Sequence, residues 1–367
     1  MYLPNVKTIP ILAPLSWLYG LGVWIRNRRF DTGNLKETSF EDKVAVISVG
    51  NLAVGGTGKT PHCEYIIRLL QRNGVGPIAV LSRGYKRTSR GFVLAKPDIS
   101  ASKLGDESYQ IYRKFPNLIV AVDEKRVRGI KKLLDLPEPP KVIILDDAMQ
   151  HRYVKPGLSI CLTSHNRILY KDKLLPQGRL REPMENVKRS DVLIITKCPG
   201  ALRKEEEVDI IGQIPTNGQP ILYSAYRYAR LINLETGLPC DIDHATDVLI
   251  VSGIADPSVL HSYVEKHYRL LDHMTYSDHH HFSNKDIKEI ETRLDSLNDM
   301  GFCTRGKSAI IITTEKDASR LLDHPAVSNS LRKRIYFLPT EVYFLQDHAE
   351  KFDKIVLDYV NKERQWK

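Results

Sequence analysis

The nine residues AVGGTGKTP (53–61) constrain the fold of this chain more than any other stretch. They follow KVAVISVG (43–50), which has the length and continuous hydrophobicity of a buried strand, and they lead into a segment of helical periodicity, residues 59–71. Glycines at such a junction let backbone N–H groups turn toward phosphate oxygens. The junction therefore predicts a phosphate-binding loop, or P-loop, within an α/β fold.

The loop departs from the usual G-x-x-x-x-G-K-[ST] pattern at its first position, where Ala53 replaces glycine. Lys59 can still reach the β- and γ-phosphates, and the Thr60 hydroxyl can bind Mg²⁺. Pro61 suits the first helical turn, where its missing N–H costs little. The alternative is a glycine-rich turn with a chance GKT sequence. The predicted nucleotide-binding residues are Ala53, Val54, Gly55, Gly56, Thr57, Gly58, Lys59 and Thr60.

Strand-length apolar runs alternate with helical segments along the chain, which is typical of parallel sheets covered on both faces. After the P-loop helix, strands are predicted at 76–84, 117–123, 141–148, 158–164 and 191–197, with a helix at 124–134. An extended segment at 221–237 precedes a second series, with strands at 247–254, 308–314 and 334–339 and helices opening at Asp256-Pro257 and covering 283–297 and 356–362. We therefore predict two α/β domains that meet near residue 222.

The composition is that of a folded protein with an anionic partner. Charged residues make up 27% of the chain and the net charge is +10, which suits nucleic acid, an anionic membrane surface or a phosphorylated substrate. The five cysteines are scattered, and none forms a CxxC pair. This pattern indicates reduced thiols in a cytosolic compartment and argues against a disulfide framework or a zinc ribbon.

Residues 9–25 carry no charge and lead into the cluster RNRR, residues 26–29. The run is at the lower length limit for a membrane-spanning helix, and prolines and glycines interrupt it. Its charge follows the apolar run, opposite to the order in a cleaved signal peptide. Two alternatives remain. One is a buried core helix; the other is a helix in the membrane interface, with Trp17, Tyr19 and Trp24 at headgroup depth and the arginines on anionic lipid.

Three polar motifs could supply the chemistry. VIILDD places Asp146 and Asp147 at a strand end, where either could help to hold Mg²⁺. GDES places Asp106 at a helix start, where it could cap the helix or accept a hydroxyl proton. SDHHHFS (277–283) holds three consecutive histidines, whose side chains point in different directions, so we expect no three-histidine metal site there.

Basic loops at 83–90, 125–132 and 175–183 are either exposed charge or contacts for an anionic substrate. Two other classes of nucleotide-binding protein fit less well. A GTPase usually carries NKxD, and the nearest stretch, TKCP (196–199), lacks the Asn and the Asp. A nucleic-acid-binding ATPase needs aromatic residues among its basic loops, and RGYKRTSR offers only Tyr85. We predict no nucleic acid partner.

In order, VGNLAVGGTGKTP, LSRGYKR, GDES, DDAMQHR, LPQGRLREP, SDHHHFS and TTEKDA resemble the tetraacyldisaccharide 4′-kinase (lipid A 4′-kinase) family, and APLSWLYGLGVWIRNRR does too. The resemblance implies ATP- and Mg²⁺-dependent phosphorylation of the 4′-hydroxyl of a lipid A disaccharide 1-phosphate. It also implies a peripheral enzyme on the cytoplasmic face of the inner membrane of a Gram-negative bacterium. We expect a monomer.

The fold that the resemblance implies is a P-loop NTPase-like α/β/α sandwich and a second, smaller α/β/α domain, joined by a short two-stranded linker. On this chain it predicts a membrane-interface helix at 1–30, a P-loop kinase domain at 31–222 and a second α/β domain at 223–344. The final helix, within 345–367, is expected to pack on the first domain.

The resemblance also implies residue roles. Lys59 keeps its P-loop role in catalysis, Asp106 matches the catalytic acidic residue, and His279 matches its histidine partner, although the run of histidines leaves His280 as an alternative. The implied metal-site residues are Thr60, Asp146, Asp147, Gln150 and Glu182. The resemblance places the active site in a cleft between the two domains, and the implied basic residues that contact substrate or phosphate there are Arg126 and Arg181. The chain departs from the family pattern at Lys86, Met149 and Arg179, which would affect packing and substrate contacts.

Overall fold

The computed structural model describes residues 8–254, 257–278, 280–299, 308–322 and 324–364. The chain divides into two compact units: Met1–Arg227 with Val342–Lys367, and Tyr228–Glu341. The second unit is thus an insertion in the chain of the first. Each unit has its own sheet and its own hydrophobic core.

The elements are numbered in chain order. The strands are β1 Thr38–Ser39, β2 Ala45–Asn51, β3 Ile78–Ser82, β4 Val93–Leu94, β5 Ile119–Val122, β6 Val142–Asp146, β7 Val154–Lys155, β8 Leu158–Ser164, β9 Val192–Thr196, β10 Ile221–Tyr228, β11 Leu231–Asn233, β12 Pro239–Cys240, β13 Asp247–Ser252, β14 Arg269–Thr275, β15 Ile310–Thr314, β16 Ile335–Leu338 and β17 Thr340–Phe344. The helices are α1 Ala13–Asp31, α2 Lys59–Arg72, α3 Ala101–Leu104, α4 Asp106–Lys114, α5 Arg126–Leu134, α6 Lys204–Gln213, α7 Ser258–His267, α8 Asn284–Asp299, α9 Glu315–Leu322, α10 Asn329–Arg334 and α11 His348–Arg364.

The first unit is built on a nine-stranded sheet in the order β17-β10-β9-β8-β2-β6-β3-β5-β4. Neighbours from β10 to β5 run parallel, and β4 is antiparallel to β5. Every residue of β2 is buried, as a strand covered on both faces requires. Val49 of β2 pairs with Asp146 of β6, so the segments that follow these two strands begin at the same edge of the sheet.

Helices α2 and α11 share one core cluster of the first unit. Cys63, Ile66 and Leu70 of α2 lie in it at helical spacing, together with Phe352 and Val356 of α11. The chain leaves the first unit through β10 and returns through β17, and these strands are neighbours in the sheet. The unit boundaries follow Arg227 and Glu341, whereas the sequence placed them after residues 222 and 344.

The second unit has a six-stranded sheet in the order β12-β11-β16-β15-β13-β14. Sequence patterning missed β14, because this edge strand is only partly buried and carries polar residues such as Asp272 and His273. Helix α7 begins at Ser258, and Pro257 is its N-cap rather than its first helical residue. The predicted cap, Asp256, lies outside the described residues.

Helix α1 is not a buried core helix. Ser16, Asn27 and Phe30 are its buried residues, whereas Trp17 is 84% exposed and Trp24 is 59% exposed. Its other exposed apolar residues, with those just before it, are Ile9, Ile11, Leu15, Leu18, Leu21 and Ile25. No helix among the described residues has the length and hydropathy needed to cross a bilayer.

Candidate active site

The predicted P-loop connects β2 to α2 in the first unit. Gly55 and Gly58 have φ values of +115° and +92°, a region that residues with a Cβ rarely adopt, so glycine is required at both positions. Gly58 is the N-cap of α2, and Lys59 and Thr60 form its first turn. This is the geometry in which backbone N–H groups and the positive end of a helix meet an anion.

Hydrogen bonds from the ends of two strands, β2 and β9, fix the P-loop. The Asn51 side chain donates to Thr57 Oγ1 at 2.7 Å, and Thr196, at the end of β9, donates its hydroxyl to the Thr57 carbonyl at 2.8 Å. Thr57 is itself buried. The loop conformation is therefore set by the sheet and does not depend on glycine content alone.

A second set of contacts supports Gly58 from strand β10. His62 Nδ1 lies 2.7 Å from the Gly58 carbonyl, and His62 Nε2 lies 2.9 Å from Ser224 Oγ. Burial lowers the pKa of His62 to about 4, so the neutral ring donates from Nδ1 and accepts the Ser224 hydroxyl. The Tyr226 hydroxyl occupies the space that a Cβ on Gly58 would need, which is a second reason for glycine there.

Asp146 and Asp147 follow β6 and differ in environment. Asp146 is 3% exposed, and burial, followed by the nearby Glu107 carboxylate, raises the pKa of its carboxyl group. Asp147 has a φ of +51°, an uncommon conformation for a residue with a side chain. Its carboxylate lies 3.7 Å from Lys59 Nζ and 3.2 Å from Arg181 Nη1. Lys59, Arg181 and both carboxylates thus belong to one charged cluster.

Two further predicted residues join this cluster. Gln150 donates from Nε2 to the Asn51 carbonyl at 2.7 Å and accepts from Arg181 at 3.2 Å. Arg126 is 2% exposed, and its guanidinium donates to the Asp146 carbonyl at 3.3 Å. Burial lowers the pKa of Arg126 to about 10, which leaves it cationic at neutral pH.

Asp106 is the first residue of α4, and Gly105 is the N-cap, so Asp106 does not itself cap the helix. The Ser108 hydroxyl is hydrogen-bonded to Ser82 at the end of β3, which draws the start of α4 to the strand-end edge of the sheet. Since β3 neighbours β6 and β6 neighbours β2, GDES, the Asp pair and the P-loop are all at this edge. Sequence reasoning gave Glu107, the second carboxylate of the GDES motif, no role of its own.

Residues 174–182, called the arginine loop below, are hydrogen-bonded to the backbone at the start of the P-loop. Val54 N–H donates to the Arg179 carbonyl and Arg181 N–H donates to the Leu52 carbonyl, both at 2.7 Å. Arg179 Nη1 lies 3.7 Å from where a Cβ on Gly55 would stand, and Lys197 Nζ lies 3.8 Å from the same point on Gly56. Two cations beyond Lys59 therefore flank the phosphate-binding glycines.

Sequence reasoning treated Arg179 as a possible phosphate contact within the basic loop 175–183 and gave Lys197 no role at the nucleotide. Lys197 was considered only as part of an incomplete guanine-reading motif. Its φ of +57° is a feature of the folded backbone and was not visible in the sequence. The sequence did contain one signal for Lys197. TKCP follows a predicted strand of the same parallel sheet, and because parallel strands end at one edge, Lys197 should lie at the edge that carries the P-loop.

Glu182 contacts cations. It is 1% exposed, forms an ion pair with Arg189, accepts from Asn186 at 2.9 Å, and lies 3.6 Å from Arg26 of α1. These contacts fix one end of the arginine loop to α1. The metal role that the resemblance implies for Glu182 stays a prediction.

His279, the predicted partner of Asp106, lies outside the described residues. Its neighbour His280 contacts Asp286 at 3.0 Å and stacks on Tyr276. Asp286 also accepts from the Ser283 N–H and hydroxyl at the start of α8. His280 thus takes part in the start of a helix in the second unit.

Comparisons with known proteins agree on one family. The family model described as Tetraacyldisaccharide-1-P 4′-kinase matches residues 8–361. Curated proteins named tetraacyldisaccharide 4′-kinase are 44% identical in Bacteroides thetaiotaomicron, covering 97% of this chain and 94% of that protein, and 40% identical in Flavobacterium johnsoniae, covering 96% and 97%.

A solved structure supports the same assignment. The crystal structure of LpxK from Aquifex aeolicus in complex with ATP matches with a TM-score of 0.73 and 29% sequence identity, covering 96% of this chain and 99% of that one. The fold is therefore the P-loop NTPase-like α/β fold expected from the sequence. Match length and identity together show that the chain belongs to the tetraacyldisaccharide 4′-kinase family.

Proposed function

We propose that this chain transfers the γ-phosphate of ATP to the 4′-hydroxyl of tetraacyldisaccharide 1-phosphate, a step of lipid A biosynthesis. One observation carries the proposal for the site. The P-loop, the Asp146–Asp147 pair and the GDES acid are associated with three neighbouring parallel strands, β2, β6 and β3, and lie at the same edge of the sheet. Phosphoryl transfer to an alcohol requires a phosphate-binding loop, oxygen ligands for a cation and a carboxylate that acts as the base.

The P-loop is suited to a nucleoside triphosphate. Gly55 and Gly58 have backbone conformations that residues with a Cβ rarely adopt, and Lys59, Arg179 and Lys197 supply positive charge around them. In the proposed mechanism Lys59 stabilises the charge that develops on the transferred phosphoryl group. Arg181, 3.2 Å from Asp147, is near enough to contribute to the same stabilisation.

Asp106 is the proposed general base. It stands in the first turn of α4, directly after the Gly105 N-cap, and α4 begins at the same edge of the sheet as the P-loop and the Asp146–Asp147 pair. It would accept the proton of the sugar 4′-hydroxyl as that oxygen attacks the γ-phosphate. His279 is proposed to orient it, as the family resemblance implies.

Mg²⁺ fits the donors at this edge. Thr60, Asp146 and Asp147 offer a hydroxyl and carboxylate oxygens, the hard ligands that Mg²⁺ prefers. The raised pKa of the buried Asp146 carboxyl group indicates a site where a nearby cation would stabilise the ionised form. Gln150 and Glu182 are retained as proposed neighbours of the metal. When bound, the ion neutralises charge on the phosphates.

The proposed location is peripheral, on the cytoplasmic face of the inner membrane of a Gram-negative bacterium, as the family resemblance implies. The exposed apolar face of α1 supports binding to a membrane surface. Trp17 and Trp24 are exposed on this helix, and Arg28 and Arg29 follow near its end. An apolar face with adjacent basic residues favours binding at the surface of an anionic bilayer. The acyl chains of the proposed substrate lie in the same surface.

Transfer of ³²P from γ-labelled ATP tests the function directly. We expect labelled lipid from lipid A disaccharide 1-phosphate in detergent micelles, dependent on Mg²⁺. DNA and RNA serve as comparison ligands and should not stimulate ATP hydrolysis. ATP hydrolysis without labelled lipid would contradict the proposal.

A further inference from the structure

The inner face of α1 is hydrogen-bonded to the arginine loop. Ser16 Oγ donates to the Leu174 carbonyl at 3.1 Å and accepts from the Gln177 N–H at 2.9 Å. One helical turn further, the Tyr19 hydroxyl donates to the Arg181 carbonyl at 2.8 Å. These bonds join residues far apart in sequence, and Ser16 is buried.

The arginine loop is in turn hydrogen-bonded to the nucleotide-binding segment. Its backbone pairs with the chain on both sides of Ala53, through Leu52 and Val54. The Arg181 side chain reaches Asp147 and Gln150. A single short segment thus has α1 on one side and the P-loop and Asp147 on the other.

The C-terminal half of α1 makes a second connection to the same place. Arg26 donates to the carbonyl of Gln150 and lies 3.6 Å from the buried Glu182 carboxylate. Arg152 pairs with Asp31 at 2.8 Å and so ties the end of the helix to the segment after Gln150. Both ends of α1 therefore contact residues next to the charged cluster.

Adjacent positions of α1 have different environments. Trp17 and Leu18 are exposed and available to lipid, whereas Ser16 and Tyr19 face the protein and make the hydrogen bonds. The exposed pair can contact lipid, whereas the inner pair fastens the helix to the arginine loop.

We propose that Ser16 and Tyr19 are positioning residues for phosphoryl transfer: through α1 they hold the arginine loop so that Arg181 stays against Asp147 beside the P-loop. The proposal rests on the proposed function of the site. The physical reason is that transfer depends on the placement of charge to a fraction of an ångström, and a small displacement of Arg181 lowers the rate steeply.

The test uses the whole 367-residue chain and removes one hydroxyl group. We expect Tyr19→Phe to lower kcat for ³²P transfer to micellar lipid A disaccharide 1-phosphate by about five- to tenfold. Partitioning to anionic vesicles should stay unchanged, because the exposed face keeps its composition. Ser16→Ala is the second variant, and we expect the same direction with a smaller effect. Tyr65→Phe is the control, since it deletes a tyrosine hydroxyl bonded to Asp353 at 2.9 Å in the same unit.

A double mutant distinguishes an effect on the position of Arg181 from a general destabilisation of the fold. If Tyr19 acts through Arg181, Tyr19→Phe should have little further effect on kcat in an Arg181→Ala background. Urea unfolding midpoints of all variants check that the fold is kept.

Three results would overturn the proposal: wild-type kcat in both Tyr19→Phe and Ser16→Ala, an equal loss in Tyr65→Phe, or a loss of kcat matched by a loss of vesicle binding. Failure of the proposed function itself is a different outcome, because the wild-type protein would then label no lipid.

Discussion

Asp106 follows a glycine with a φ of +89° and begins α4 without capping it. As a general base it should be needed for the transfer step and not for nucleotide binding. We therefore expect Asp106→Asn to lower kcat by about a hundredfold or more while ATP affinity, measured by titration calorimetry, stays within a few-fold of wild type. The amide keeps the size of the side chain and removes its ability to accept a proton.

Asp98→Asn is the matched control, because Asp98 is an exposed aspartate in the same unit. It should transfer phosphate at the wild-type rate. Wild-type turnover in Asp106→Asn would exclude Asp106 as the base, and lost ATP binding would mean that it supports the nucleotide site instead.

His62 gives a pH-dependent prediction. Burial lowers its pKa to about 4 in the folded chain, below the ordinary value of about 6.5 expected for the unfolded chain. Between these values the unfolded state binds the proton more readily, so the unfolding free energy falls as the pH drops below 6.5. From pH 7 to pH 5 this amounts to about 2 kcal/mol.

Urea unfolding at a series of pH values measures this dependence, and His62→Gln is the reference. The variant lacks the titrating ring but keeps the other ionisable groups, so the difference between the two proteins isolates His62. We expect a steeper loss of stability in the wild type below pH 6.5. If the unfolding free energies of the two proteins change with pH in parallel, the His62 ring is not held neutral in the folded chain.

The sequence could identify those site residues that stand in short motifs beside a predicted strand. Lys59, Thr60 and the Asp146–Asp147 pair stand in short motifs next to strands, so their positions follow from the nearest element. Arg179, Lys197 and Tyr226 reach the same glycines from distant parts of the chain. Their placement depends on strand order and on the path of the arginine loop, which no local pattern encodes.

The environment of helix α1 could not be predicted from its sequence pattern. Its sequence is apolar on most faces and left a buried helix and an interfacial helix as alternatives. The exposure of Trp17 and Trp24 excludes the buried core helix, and two of the three buried residues of α1, Ser16 and Asn27, are polar. The strands were easier to predict: β2, β6 and β9 are continuous apolar runs, whereas edge strand β14 has no such run.

The exposed face of α1 yields a prediction about membrane binding. Trp17 and Trp24 together should contribute on the order of 3 kcal/mol if each withdraws most of its apolar surface from water. We expect Trp17→Ala with Trp24→Ala to weaken partitioning to anionic vesicles by about a hundredfold, measured by sedimentation.

Leu238→Ala with Val259→Ala is the control pair, because both residues are exposed apolar side chains of the second unit. This pair should partition as the wild type does. An equal loss in both double variants would mean that exposed apolar surface in general, and not α1, binds the bilayer.

For the whole molecule, the insertion of one unit in the other is the feature with the most direct consequence. The second unit, Tyr228–Glu341, has its own core, which includes Leu249, Ile311 and Leu294. Its length is ordinary for an independent domain. We expect residues 228–341 expressed alone to unfold in one cooperative urea transition; a gradual, non-cooperative loss of far-UV circular dichroism would contradict this.

Deletion of the second unit tests whether the first unit alone can bind ATP and transfer phosphate. β10 and β17 are neighbours in one sheet, so a linker of about four glycine and serine residues can join Arg227 to Val342. Such a protein keeps the P-loop, Asp106 and Asp146 but loses His279. We expect it to fold and to bind ATP within about tenfold of the wild-type affinity, because the phosphate-binding backbone is fixed by β2, β9 and β10. Transfer of ³²P to lipid should fall to background, and transfer at the wild-type rate would remove the second unit from the mechanism.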